Sequence, residues 1–264
     1  MFLRRIIFQL KKDNHSWKEY DELLLKRFDY NSYFVMHYLS MQIRKKNYQT
    51  DGTYSSIGVN ISLTDQLMNH NVVAMNQFGC LHCSIIVSKE EFEQYLHEPI
   101  IRIRNEYYLE WLQRGYLYIN NNKEIPVDLL LSLHDEFRKN GYKNEILFKQ
   151  LCYKPLGIKV VFTKVLTTSE FHLAINAYDR NTGVMLAEGT VFRTAPDDVF
   201  YAHVIKNLQV IGDKLIILDF LNRPTFIIDI PGLCKGDVHI EYAGDMFNEE
   251  KQRKQDELIQ QLIW

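Results

Sequence analysis

The spacing of apolar residues differs between the two halves of the chain. Apolar residues recur at three- and four-residue intervals in segments 2–10, 17–28 and 32–46, and this spacing predicts three amphipathic helices. A strand is expected through Ile57, Val59 and Ile61 after the Asp51-Gly52 turn. The amino-terminal half is therefore expected to be mostly helical with a few strands.

Helix start and stop signals predict further helices up to about residue 150. Ser88, with Glu91 three residues later, predicts a helix amino terminus because each side chain can bond a free backbone N–H. The region 99–150 is expected to be mostly helical, with a helix ending at Asn140-Gly141.

The second half instead alternates apolar and polar positions in short runs separated by turn residues. Strands are predicted at 159–167, 171–178, 184–194, 203–211, 214–220 and 225–230. Because the connections are too short to hold crossover helices, the strands are expected to form an antiparallel meander. A last helix is expected to begin near Asn248, with Glu249 and Glu250 at its positive end and Trp264 docking it.

Together these patterns predict an α+β fold with two parts. Residues 1–155 are expected to form a mixed, mostly helical subdomain, and residues 156–264 an antiparallel β-rich subdomain ending in a helix. No segment approaches the roughly 18 apolar residues of a membrane span, so no membrane partner is expected.

Composition narrows the class of protein. With 264 residues, 46% hydrophobic and 24% charged, the chain can bury a sizeable core. Cys80, Cys83, Cys152 and Cys234 are expected to be reduced thiols, because a chain of this size needs no disulfides, and cytoplasmic localisation follows.

Charge is uneven along the chain. Residues 1–50 carry ten Lys and Arg against five Asp and Glu, whereas 197–264 carry seven against twelve. A generic nucleic-acid binder would show one strong basic field, so that class is disfavoured. Aromatic residues make up 13% of the chain, which suits either a core or an interface.

The tetrapeptide Cys80-Leu-His-Cys83 looks most like a chemical site. On a strand, however, Cys80 and Cys83 point to opposite faces of the sheet, and so they cannot clasp one ion or form a disulfide. Only Cys80 and His82 share a face, as two possible metal ligands that need others from elsewhere. We favour a core strand over a metal or redox site.

A second candidate is Asp237-Val-His-Ile-Glu241. If this segment is a strand, Asp237, His239 and Glu241 line one face and are possible ligands or a general base of a metal-dependent hydrolase. The more ordinary interpretation is an exposed polar face over a buried apolar one, so no metal or other cofactor is expected.

No nucleophile-elbow, zincin, P-loop, dinucleotide-binding or kinase motif is present. The sequence therefore favours a non-enzymatic intracellular protein-binding module, such as a bacterial inhibitor or immunity protein that occludes a toxin. One alternative is the metal-dependent hydrolase; another is an RNA-binding protein that uses the basic, aromatic amino-terminal helices.

Overall fold

The structure is a computed structural model that describes residues 1–10, 20, 22–63, 73–244 and 247–263, with 198 and 199 described in backbone only. These residues contain seven helices and three sheets, which confirms the α+β class. The chain divides into two compact units, Met1–Lys143 and Asn144–Trp264. The sequence pattern predicts a division after residue 155.

The first unit contains a four-stranded sheet together with four helices. Its elements are β1 (Arg5–Leu10), α1 (Glu22–Lys46), β2 (Ser56–Ser62), β3 (Ala74–Met75), β4 (Cys80–Ile86), α2 (Lys89–His97), α3 (Ile101–Asn120) and α4 (Val127–Lys139). The strand order is β1-β2-β4-β3, with β1, β2 and β4 parallel and β3 antiparallel. This half is thus mixed rather than mostly helical.

The helix expected over 2–10 is wrong, because residues 5–10 form β1. Ile6, Phe8 and Leu10 are buried on one face of the strand, and these positions fit a strand period as well as a helical one. Pairing with β2 decides between the two periods, and that pairing is not visible in the local sequence. The helix expected over 17–28 lies partly outside the described residues.

The helix signals further along the chain are confirmed. The Ser88 hydroxyl accepts the Glu91 N–H at 3.1 Å at the start of α2. Asn140 caps the end of α4, and Gly141 adopts a φ of 72°. The expected helix from residue 32 to 46 is the second half of one longer helix, α1, which begins at Glu22.

Aromatic side chains fill the core of the first unit. The rings of Phe8, Phe28, Phe92, Tyr108 and Trp111 pack with centroids about 6 Å apart and are fully buried. Much of the aromatic content therefore stabilises the fold rather than forming a surface.

The second unit is an antiparallel meander that forms two sheets. Its elements are β5 (Asn144–Tyr153), β6 (Ile158–Leu166), β7 (Phe171–Asp179), β8 (Met185–Thr194), α5 (Asp198–Val204), β9 (Asn207–Ile211), β10 (Lys214–Leu218), β11 (Pro224–Asp229), α6 (Ile230–Cys234), β12 (Ile240–Tyr242) and α7 (Glu249–Leu262). The sheet orders are β5-β6-β7-β8 and β12-β11-β10-β9. The expected meander is confirmed.

Two local expectations in this part of the chain are wrong. Residues 144–153 form edge strand β5 rather than a helix, and a bulge between Leu147 and Lys149 breaks its alternation. His203 and Val204 belong to α5, so the expected strand beginning at 203 starts only at Asn207.

Asn248 caps the start of helix α7, as expected, and the helix covers the free edge of β8. The Gln252 side chain accepts the Arg193 N–H at 3.1 Å and donates to the Arg193 carbonyl at 3.0 Å. A side-chain amide thus takes the place of a neighbouring strand. Trp264, expected to dock this helix, lies outside the described residues.

Within the described ranges, no helix is both long and apolar enough to cross a lipid bilayer.

Candidate functional site

The Cys80-Leu-His-Cys83 segment forms the first four residues of β4. Its successive side chains therefore point to opposite faces of the sheet. Cys83 lies against α3, with its Sγ 3.6 Å from the Gly115 carbonyl. Cys80 and His82 lie on the other face, next to Gly58, where an added Cβ would come within 3.2 Å of both side chains. The two thiols are therefore separated by the sheet, as the strand interpretation expected.

Burial makes both thiols poor nucleophiles. It raises the pKa of Cys83 to about 12 and raises that of Cys80 as well. Because the thiolate is the reactive form, these cysteines have the properties of core side chains.

The Asp237-Val-His-Ile-Glu241 segment is strand only in its last part. Strand β12 spans Ile240–Tyr242, so Asp237 and His239 precede it and the expected face of three donors applies to Glu241 alone. Asp237, His239 and Glu241 are all exposed.

His239 and Glu241 nevertheless border a shared groove. It has a volume of about 520 Å³ and lies between β12 and the start of α7. Its lining residues are His239, Ile240, Glu241, Tyr242, Asn248, Glu249 and Glu250. We call this feature the β12–α7 groove.

Buried aromatic packing holds the two walls of the groove together. Phe247, fully buried just before α7, packs its ring 5.8 Å from Phe226 of β11 and 6.3 Å from Tyr242 of β12. The Asn248 side chain then accepts the Lys251 N–H at 2.9 Å and starts the helix. As a result the carboxylates of the first helical turn lie beside the strand.

The groove is negatively charged. Lys254 donates to Glu250 at 2.6 Å and lowers the pKa of that carboxyl, so one of the three lining carboxylates has a cationic partner. Glu241 and Glu249 are exposed acids of the same groove. Burial, followed by the charges of Glu249 and Asp256, raises the pKa of Tyr242.

Strand β12 also presents an unpaired backbone edge. Among the residues that the structure describes, β12 is the outermost strand of its sheet and pairs with β11 alone. The Ala243 N–H donates to the Thr225 carbonyl, which fixes the antiparallel register. By alternation, the N–H and C=O groups of Ile240 and Tyr242 point away from β11, so the groove offers main-chain donors and acceptors as well as carboxylates.

Among the described residues, no group of three or more His, Cys, Asp or Glu side chains is arranged to hold a metal ion. The groove contains suitable residue types, but they are spread along a strand and a helix.

No protein-family model, curated protein or solved structure matches this chain.

The sequence identified part of this groove. The sequence pattern indicates His239 and Glu241 as candidate site residues, whereas it indicates Glu249 and Glu250 only as favourable charges at a helix start. The local sequence could not show that these two pairs of residues lie close together, because Phe247 brings their segments together through contacts with distant strands. The carboxy-terminal excess of acidic residues was the available signal.

Proposed function

We propose that the chain is a non-enzymatic protein-binding module whose β12–α7 groove takes a basic segment of a protein partner. The observation that carries this proposal is the groove itself, where exposed carboxylates of Glu241 and Glu249 lie beside an unpaired strand edge. Carboxylate-lined surfaces attract and orient cationic partners.

The charge distribution supports the same partner class. Residues 197–264 carry seven basic and twelve acidic residues, so the segment that forms the groove has an acidic excess. A partner with clustered Lys or Arg would associate faster and more specifically with such a surface, and salt would weaken the association.

The finer form of the proposal is a cytoplasmic bacterial inhibitor that covers the basic active site of a toxin. It is supported by the four free thiols, which suit a reducing compartment, and by the chemistry of the groove. Enzymes that act on nucleic acids need basic surfaces, and an acidic inhibitor complements them.

The two alternatives have less support. A basic helix expected over residues 2–10 is one basis of the RNA-binding alternative, but residues 5–10 form strand β1. For the metal-dependent hydrolase, Asp237 does not line the groove that His239 and Glu241 share.

Charge reversal tests the proposal. Full-length protein with a tag is used to capture partners from the native host, with wild type compared with the double variant Glu241→Lys, Glu249→Lys. We expect a stoichiometric basic protein to co-purify with wild type and to bind the double variant at least about tenfold more weakly.

Glu257→Lys is the matched control. Glu257 lies on the same helix, is 66% exposed at its side chain, and is outside the groove. Reversing the charge of Glu257 changes the net charge by the same amount as either substitution of the double variant. It should leave binding of the captured partner nearly unchanged. Recovery of no stoichiometric partner, or equal capture by wild type and the double variant, would contradict the proposal.

A further inference from the structure

Strand β6 carries a lysine, Lys164, on the face that packs into the core of the second unit. The lysine continues the two-residue period of the buried side chains of this strand. Those side chains are Ile158, Val160, Phe162 and Leu166. The residues opposite Lys164 in the neighbouring strands, Ile146 in β5 and Leu173 in β7, are apolar as well. An amine is therefore placed where the strand otherwise holds apolar side chains.

The bulge in β5 adds an aromatic ring beside this amine. Between Leu147 and Lys149, the register skips Phe148, which has no partner in β6. A bulge sets two residues of one strand opposite a single residue of the next and bends the strand locally. Lys164 Nζ lies over the Phe148 ring, 4.8 Å from its centroid.

Helix α5 contributes a second ring. Tyr201 is buried and stacks on Phe171 with the ring centroids 3.7 Å apart, so its position is set by the core. The centroid of its ring lies 5.8 Å from Lys164 Nζ. The amine is thus bordered by one ring from β5 and one from α5.

These surroundings favour the neutral form of the amine. Burial lowers the pKa of Lys164, and no charged neighbour among the described residues adds to or opposes this shift. The residue is half-buried, and long side chains of this kind keep their polar end toward water, so a small molecule can reach Nζ. A lysine amine in an apolar environment is the nucleophile that forms Schiff bases with carbonyl compounds.

We propose that Lys164 is a covalent modification site that condenses with small aromatic aldehydes. The Nζ lone pair attacks the carbonyl carbon, and the carbonyl oxygen leaves as water with the two amine hydrogens, so a C=N bond replaces the C=O bond. The rings of Phe148 and Tyr201 favour an aromatic aldehyde because contacts between rings are stabilising. All three residues belong to the second unit and lie outside the β12–α7 groove.

Reductive labelling of the full chain tests the site. Benzaldehyde is the probe, sodium cyanoborohydride supplies the hydride that converts the imine into a stable benzylamine, and peptide mass spectrometry locates the label. Lys159 is the reference within the same sample. It lies on the same strand, is also half-buried and stands 6.0 Å from the Tyr178 ring centroid, but it points to the opposite face of the sheet.

We expect the label to accumulate at Lys164 at least about fivefold faster than at Lys159. Equal or slower labelling of Lys164 would overturn the proposal. Cyclohexanecarbaldehyde, the non-aromatic analogue, should give a lower ratio of Lys164 to Lys159 labelling than benzaldehyde does. An equal ratio for the two aldehydes would refute the assignment of the aromatic class.

Two substitutions of Phe148 test the cause of the reactivity. Phe148→Asp places a carboxylate beside the amine and stabilises the ammonium form, so the labelling rate at Lys164 should fall to that of Lys159. Phe148→Leu is the matched control, because it keeps the position apolar, and it should retain most of the preference for Lys164. Equal labelling of Lys164 in the two variants would contradict the role of the apolar surroundings.

The thermal unfolding midpoint of each variant, measured without aldehyde, separates a change at the amine from loss of the fold. If Phe148→Asp does not fold, the comparison of Lys164 with Lys159 in the wild-type chain still decides the proposal.

Discussion

The imidazole of His134 makes the stability of the first unit depend on pH. His134 lies on α4, is 1% exposed, and packs its ring 5.6 Å from that of Tyr116. Neither ring nitrogen has a hydrogen-bond partner in the described part of the chain. Burial, and then the charge of Arg138, lowers its pKa from 6.5 to about 4, against the opposing effect of Asp135 and Glu106.

The sign and size of the effect follow from proton linkage. Because the folded-state pKa is lowered, the unfolded chain binds the proton more readily between pH 6.5 and 4, so stability falls as pH falls through this window. Between pH 7 and pH 5 the loss is about 2 kcal/mol, and it reaches about 3 kcal/mol at and below pH 4.

The substitution His134→Leu tests this reasoning. It removes the titrating group without burying a new polar atom, so the pH dependence between 7 and 5 should be about 2 kcal/mol smaller than in wild type. His97→Leu is the control, because the His97 side chain is 82% exposed, and it should keep nearly the wild-type pH dependence.

Urea unfolding at a series of pH values provides the measurement. Fluorescence of buried Trp111 reports the first unit when Trp17 and Trp264 are replaced by Phe in every variant. If His134→Leu and wild type lose equal stability between pH 7 and pH 5, His134 is not a neutral buried group and the reasoning is refuted.

Three further substitutions test packing and edge contacts. Gly115→Ala places a methyl group against both γ carbons of Val59, so urea unfolding should show a loss of about 1 to 3 kcal/mol despite the higher helix propensity of Ala, and Val59→Ala in the same chain should restore part of it. Glu91→Ala removes the carboxylate that accepts from the buried Trp111 indole at 2.5 Å and from Arg114 at 2.8 Å, and should cost about 2 kcal/mol in the same assay; a loss below about 0.5 kcal/mol would show that these bonds contribute little. Gln252→Leu removes two bonds to the edge of β8, and hydrogen exchange should show faster exchange of the Arg193 amide, whereas unchanged protection would contradict the edge-covering role.

Elements with strong local signals could be predicted from the sequence. The Ser88 cap of α2 and the Asn140-Gly141 end of α4 each follow from side chains within a few residues of the feature. Capping is satisfied locally, so the sequence pattern is sufficient there.

Elements whose structure depends on contacts with distant parts of the chain could not be predicted from the sequence. In β1, Ile6, Phe8 and Leu10 fit two periods, and β2 together with Ser40 of α1 determines the outcome. In β5, the alternating burial shifts by one residue at the bulge between Leu147 and Lys149, and the inward positions after Asn144 are only half-buried, so the strand period is weak.

The same distinction between local signals and distant contacts applies to the β12–α7 groove. Glu241 could be singled out within its own segment, but Glu249 joins it only because Phe247 packs against β11. Such a site depends on tertiary contacts, and a single sequence does not display them.

The most direct test of the protein-binding account is hydrogen exchange on the captured complex, compared with the free chain. The account predicts protection concentrated at 239–242 and in the first turn of α7, with the protection lost in the Glu241→Lys, Glu249→Lys variant. Protection confined to other surfaces would show that the partner binds elsewhere and would contradict the assignment of the β12–α7 groove.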